Sequence, residues 1–202
     1  MGKKLKRLLT IIVTFTMVFS SLIVLKPVNA EDETKTYAIF PTPHEVVYGE
    51  DNFAISDDVN VVYGEAIDGY TKDHTVDVLD LLGKTCTVSE AVSVGKTNVI
   101  MGIYNSDDYV DRYFKENNLI DNENLFNKYD SYILSINDGV IAVLGKDTDA
   151  VFYGITSLKH IFTQVKDNNV LNLKINDYAD VKARGFIEGY YGNPWSNEDR
   201  AD

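Results

Sequence analysis

The stretch YILSINDGVIAVLGKDTDAVFYGITSLKHIFTQV, residues 132–165, decides the fold. Tyr132 to Ile136 and Val140 to Leu144 are β-rich runs on either side of Asn137-Asp138-Gly139, and such runs separated by a tight Asp-Gly turn form a hairpin. The period then changes. Val151, Ile155, Leu158, Phe162 and Val165 stand at helical spacing across Asp149 to Val165, with Thr148 or Asp149 available as the cap. This one stretch therefore predicts two antiparallel strands and an amphipathic helix packed on them, a unit of mixed α and β structure.

The same alternation of periods continues outward in both directions. Downstream, Val170 to Ile175 sets Leu171, Leu173 and Ile175 against Asn172 and Lys174, the pattern of a half-buried strand. Upstream, Asn98 to Tyr104 is apolar almost throughout (Val99, Ile100, Met101, Ile103), which predicts a central strand covered on both faces. A short helix is expected near Tyr109 to Lys115. Another is expected over Thr71 to Leu82, with Val76, Leu79 and Leu82 on one face and Gly83 as the stop, and a short strand over Val59 to Tyr63. Phe40-Pro41-Thr42-Pro43 is an extended lead-in, because two prolines so close neither continue a helix nor sit inside a sheet. Residues 37–180 thus read as one α+β domain, with no internal repeat and no low-complexity tract. Cys86 stands alone in the chain, so no internal disulfide framework is available and the domain needs an ordinary core. Lying between Thr85 and Thr87 in a strand-like run, Cys86 is expected to be a buried, inert thiol.

Residues 1–30 read as a secretory signal peptide. Lys3, Lys4, Lys6 and Arg7 precede an apolar run from Leu8 to Leu25, and Val28-Asn29-Ala30 supplies small residues for a cut after Ala30. The run approaches the length of a membrane span, so an uncleaved anchor is the alternative. The small-residue site favours cleavage, and with it a secreted, extracellular protein without a stable membrane anchor. Residues 31–36 form a charged leader. Cleavage would remove five positive charges (the four above and Lys26) and no acid, taking the formal net charge from −12 to −17. Such a surface repels phosphate backbones and argues against nucleic acid as a partner. His44, His74 and His160 are far apart and show no metal-ligand spacing, so neither a metal nor a cofactor is expected. Asp57-Asp58 and Asp107-Asp108 are adjacent acids in polar, turn-like settings and read as solvated surface carboxylates.

After Asp180 the composition changes to Arg184-Gly185-Phe186-Ile187-Glu188-Gly189-Tyr190-Tyr191-Gly192-Asn193-Pro194-Trp195. Phe186 to Ile187 suits a buried strand and Gly192-Asn193-Pro194 a turn. Ser196 with Asp199 three residues on opens a helix in the manner of a capping box. Strand, turn and helix are the opening unit of an α/β architecture, and a lone strand cannot be stable by itself. Residues 181–202 are therefore expected to begin a further domain that continues beyond Asp202. Glycine at 185, 189 and 192 costs roughly 0.5–1 kcal/mol each against alanine, and is suited to close approach of either a ligand or a neighbouring strand. Spacing alone leaves those two open. Tyr190, Tyr191 and Trp195 suit sugar stacking or core filling, and on residue type alone core filling is favoured.

The run from Arg184 to Trp195, continuing through Arg200, closely resembles the first barrel strand and following turn of glycoside hydrolase family 84. That family holds bacterial β-N-acetylglucosaminidases, the clostridial hyaluronidase or mu toxin type, and the animal O-GlcNAcases. Its wording here looks closest to the clostridial type. Residues 37–178 are similar, more loosely, to the small α+β domain that precedes the barrel in families 84 and 20, through Phe40-Pro41-Thr42-Pro43 and Gly154-Ile155-Thr156-Ser157-Leu158. The resemblance implies a (β/α)₈ barrel beginning near Ala183, its active site at the C-terminal ends of the strands. It also implies substrate-assisted retaining hydrolysis of terminal N-acetylglucosamine from glycans or glycoproteins. Gly189 matches the glycine whose carbonyl meets a sugar hydroxyl, which makes it substrate-binding; Tyr191 and Trp195 would support the pocket wall, and Glu188 would be structural. The adjacent aspartates that orient the acetamido group and move the proton come from the fourth barrel strand, so no catalytic residue is expected in these 202 and the chain alone should be inactive. The alternatives are a carbohydrate-binding or interaction module standing alone, which needs an exposed aromatic platform, and a family 20 hexosaminidase.

Overall fold

In the computed structural model, which describes residues 36–183 together with Gly185 and Ser196, the strands are β1 (Glu45–Ala54), β2 (Asp58–Tyr63), β3 (Thr85–Ser89), β4 (Thr97–Ile103), β5 (Tyr129–Asn137), β6 (Val140–Gly145) and β7 (Asn169–Ala179). The helices are α1 (Gly69–Asp80), α2 (Tyr109–Glu116) and α3 (Thr148–Phe162), with a 3₁₀ turn over Glu123–Asn127. The strands form one sheet in the order β1-β7-β5-β6-β4-β2-β3. Strands β6, β4, β2 and β3 run parallel, and β5, β7 and β1 continue the sheet antiparallel. The mixed α+β class read from the sequence is the one observed.

The hairpin forms because Asp138 and Gly139 take φ values of 43° and 85°, the left-handed pair that a two-residue turn between twisted strands requires. Asn137 then faces Val140 across the turn. Gly145 closes the next connection. A Cβ there would stand 2.6 Å from the backbone nitrogen of Val151 and 2.8 Å from the carbonyl oxygen of Asp147, so its absence lets α3 start directly after β6. Asp147, rather than Thr148 or Asp149, caps that helix: its side chain accepts the Ala150 N–H at 2.9 Å. Thr148 instead meets the Thr71 hydroxyl at 3.1 Å and ties α3 to α1.

Strand β4 shows why a continuous apolar run was needed. Val99 and Met101 belong to the core under α1 and α3, with Val143, Ile155 and Leu158. Ile100 between them points into a second core with Leu144, Val110, Phe114 and Phe126, covered by α2 and the 3₁₀ turn. Successive strand residues face opposite sides, so helices on both sides call for apolar residues at every position.

Three further expectations are corrected, and one strand is added. In α1 the buried residues are Thr71, Thr75, Val78 and Leu79, whereas Val76 is 46% exposed. Two threonines occupy the inner face because the Thr75 hydroxyl is satisfied by the Thr71 carbonyl at 2.8 Å, leaving its methyl for packing. Asp108 is buried rather than solvated, as the cap of α2 accepting the Val110 and Asp111 N–H groups at 3.0 Å. Cys86 is exposed, because β3 is the edge strand of the sheet. Partial desolvation, with Asp80 and Asp58 nearby, still pushes its thiol up. Finally, β1 has no counterpart among the expected strands: its register shifts between Tyr48 and Asn52, and that bulge breaks the period of two.

Candidate functional site

The sequence-predicted site residues Gly189, Tyr191 and Trp195, together with Glu188 and the signal peptide read over residues 1–30, lie outside the described residues. Among the described residues the most developed polar arrangement stands where the chain leaves the sheet, at the end of β7. A cleft of about 350 Å³ there is lined by Phe40, Tyr132, Tyr153, Asp177, Tyr178 and Val181, among others.

Its centre is a chain of hydrogen bonds. The His44 imidazole places Nδ1 2.8 Å from Asp177 Oδ1 and Nε2 3.2 Å from Asp180 Oδ1, while the His44 backbone N–H donates to Asp177 Oδ1 at 3.1 Å. The Tyr132 hydroxyl donates to the other oxygen of Asp177 at 3.1 Å and so accepts from Ser157 at 2.7 Å. Burial first, and then the charge of Asp177, pushes the Tyr132 phenol up, so it stays a neutral donor. The ring of Tyr178 stacks on His44 with centroids 3.8 Å apart, and Lys128 Nζ stands 5.2 Å from the same ring. The side-chain bond to Asp177, then the one to Asp180, raises the affinity of His44 for its second proton. One imidazole bridges both carboxylates. The group is a clasp rather than a free acid and base flanking a substrate.

A second feature lies on the helical face. Tyr70, 72% exposed, stacks on Phe152 with centroids 5.2 Å apart and planes 14° apart. His74 stacks on Phe152 at 4.2 Å and donates or accepts at Thr156 Oγ1, 3.1 Å away. Burial lowers its proton affinity, so it sits as a neutral ring. His160 is on the polar side of α3, as expected, with Nδ1 accepting the Phe40 N–H at 3.3 Å. The described residues hold no group of metal-ligating side chains, and no described helix is long and apolar enough to cross a membrane. The acids expected to be solvated divide: Asp57 is exposed and pairs with Lys84 at 2.8 Å, while Asp58 is half-buried and pairs with Lys96.

Sequence reasoning missed the clasp because its partners lie 133 and 136 residues apart. The only local signal was His44 directly after the Phe40 to Pro43 lead-in and two aspartates at the end of a strand.

Comparison with known proteins gives these features a context. Residues 36–178 match the family described as glycosyl hydrolase family 20, domain 2. The solved structure of CpGH84D is 46% identical, with a TM-score of 0.79, over 82% of this chain and 28% of that one. CpGH84B is 26% identical, with a TM-score of 0.61, over 82% of this chain and 26% of its own. The chain thus spans little more than a quarter of the length of either.

Proposed function

The chain belongs to the family of glycosyl hydrolase family 20, domain 2, in the form found in the family 84 enzymes, and on that premise we propose that the whole protein is an exported β-N-acetylglucosaminidase of the hyaluronidase type. Residues 37–180 are its ancillary N-terminal domain and residues 181–202 open its catalytic barrel. The observation that carries this reading is the 46% identity with CpGH84D across 82% of the chain. Against the family 20 alternative, the domain is common to both plans, and the closer sequence likeness is to the family 84 structures.

In this reading terminal N-acetylglucosamine of a glycan or glycoprotein rests on Gly189, whose lack of a side chain lets a hydroxyl reach the backbone carbonyl. Tyr191 and Trp195 brace the wall. The acetamido oxygen of the substrate attacks its own anomeric carbon, which dispenses with an enzyme nucleophile because the attacking group is already in place. The adjacent aspartates that assist it belong to a later barrel strand. The 202-residue chain is accordingly expected to give no turnover above background on a chromogenic N-acetylglucosaminide, while a product extended through the following reading frame hydrolyses it. Turnover by the short chain, or none by the extended one, would overturn the assignment.

One observation favours a second reading, a carbohydrate-binding module. Tyr70 offers an open ring face backed rigidly by Phe152 and His74, and a flat aromatic face suits a pyranose ring. If so, the chain retains glycans on an array and Tyr70→Ala abolishes the retention; an array with no signal leaves the ancillary role alone.

A further inference from the structure

His44 stands between two carboxylates on one continuous piece of chain, Asp177 within β7 and Asp180 just beyond it. A neutral imidazole carries one N–H and can donate to one neighbour only; its other nitrogen turns a lone pair outward. With both nitrogens facing carboxylate oxygens, at 2.8 and 3.2 Å, only the imidazolium satisfies the arrangement. The geometry points to a proton-dependent clasp: protonated His44 fastens the exit segment 180–183 against the start of β1, and loss of the proton releases Asp180.

The two contacts differ in what holds them otherwise. Asp177 is one-fifth exposed at its side chain, takes the His44 backbone N–H as well, and is anchored by Tyr132. Its bond survives deprotonation, because the remaining imidazole proton can stay on Nδ1. Asp180 is 76% exposed at its side chain and faces Nε2, which then becomes an acceptor against an acceptor. Carboxylates and lysines ordinarily change charge well outside the neutral range. Glu45, next in the chain, accepts from Asn176, Asp130 lines the same cleft, and Lys128 stands over the Tyr178 ring stacked on His44. The switch is therefore carried by His44 alone among the groups around it.

The direction follows from linkage. His44 binds its proton more tightly folded than unfolded. Its contribution is complete below about pH 6.5, the free imidazole value, and is lost as pH rises through the raised value. The inference does not depend on the hydrolase reading, since it concerns how firmly the domain's last residues are held whatever follows them.

The test is a proton NMR titration of the full chain with amide exchange on residues 180–183. The His44 ring should titrate above about pH 6.5, on the opposite side of that value from His74. Asp180→Asn, at an exposed position that leaves the core untouched, should lower the midpoint by about half a pH unit or more. Exchange at 180–183, corrected for intrinsic base catalysis, should be several-fold faster above the midpoint than below it, and should lose that dependence in His44→Gln. A midpoint at or below the free imidazole value, an unmoved midpoint in Asp180→Asn, or pH-independent corrected exchange in the parent chain would each overturn the clasp.

Discussion

Phe114→Ala is expected to lower the unfolding free energy by about 3–5 kcal/mol, a large share of the roughly 5–15 kcal/mol available to a domain of this size. The reason lies in how little holds α2. Eight residues are too few for a stable isolated helix, so α2 exists because Val110 and Phe114, one turn apart, are both fully buried against Ile100, Leu144 and Phe126. Truncating Phe114 removes the larger of the two anchors and opens a cavity over the centre of the sheet. Urea denaturation followed by circular dichroism measures the loss. A cost below about 1 kcal/mol, the level typical of ordinary surface-to-core variation, would mean that α2 is not the seal of this face.

The second large effect is expected at Asp111, whose carboxylate is wholly buried. One oxygen accepts the Asn105 N–H at 3.0 Å; the other accepts the Asp107 N–H at 3.0 Å and Lys115 Nζ at 2.8 Å. Asn105 and Asp107 have φ values of 59° and 62°, a backbone that side-chain-bearing residues adopt only when something compensates. Asp111 supplies the compensation by gathering both N–H groups of the loop. Asp111→Ala leaves them without their acceptor, at about 1–3 kcal/mol apiece, for a total near 3 kcal/mol once the exposed Lys115 has turned to water. Asp111→Asn keeps one acceptor oxygen and is expected to cost about half as much. Equal losses in the two variants, read from the same denaturation curves, would show that packing rather than hydrogen bonding is at stake.

Both residues sit in the short helix expected near Tyr109 to Lys115, and what the sequence showed elsewhere contrasts with what it concealed. The hairpin at Asp138-Gly139, the central strand β4 and the face of α3 were legible because each is dictated within ten or fifteen residues, by turn chemistry or by period. The inner face of α1 was misread because threonine satisfies its hydroxyl within the helix, which no polarity scale registers. Asp108 looked like a surface acid because its burial comes with the capping of α2, and Cys86 looked like a core thiol because nothing local says that β3 ends the sheet. The clasp was invisible for the same reason at longer range: His44 meets its acids only after β7 has been laid beside β1. The residues assigned from resemblance, Gly189, Tyr191 and Trp195, owe nothing to period or spacing, and their chemistry awaits the assays above.

Strands β1 and β7 pair antiparallel, with Glu45 opposite Asn176, so the first strand begins beside the end of the last. The chain reaches that point from the other end of β7. Tyr37 Oη accepts the Leu171 N–H at 3.1 Å and Ala38 exchanges hydrogen bonds with the Gln164 side chain, so residues 37–44 run from the level of Leu171 to that of Asp177 before β1 starts. The β1 edge of the sheet is thereby held by the approach of its own chain.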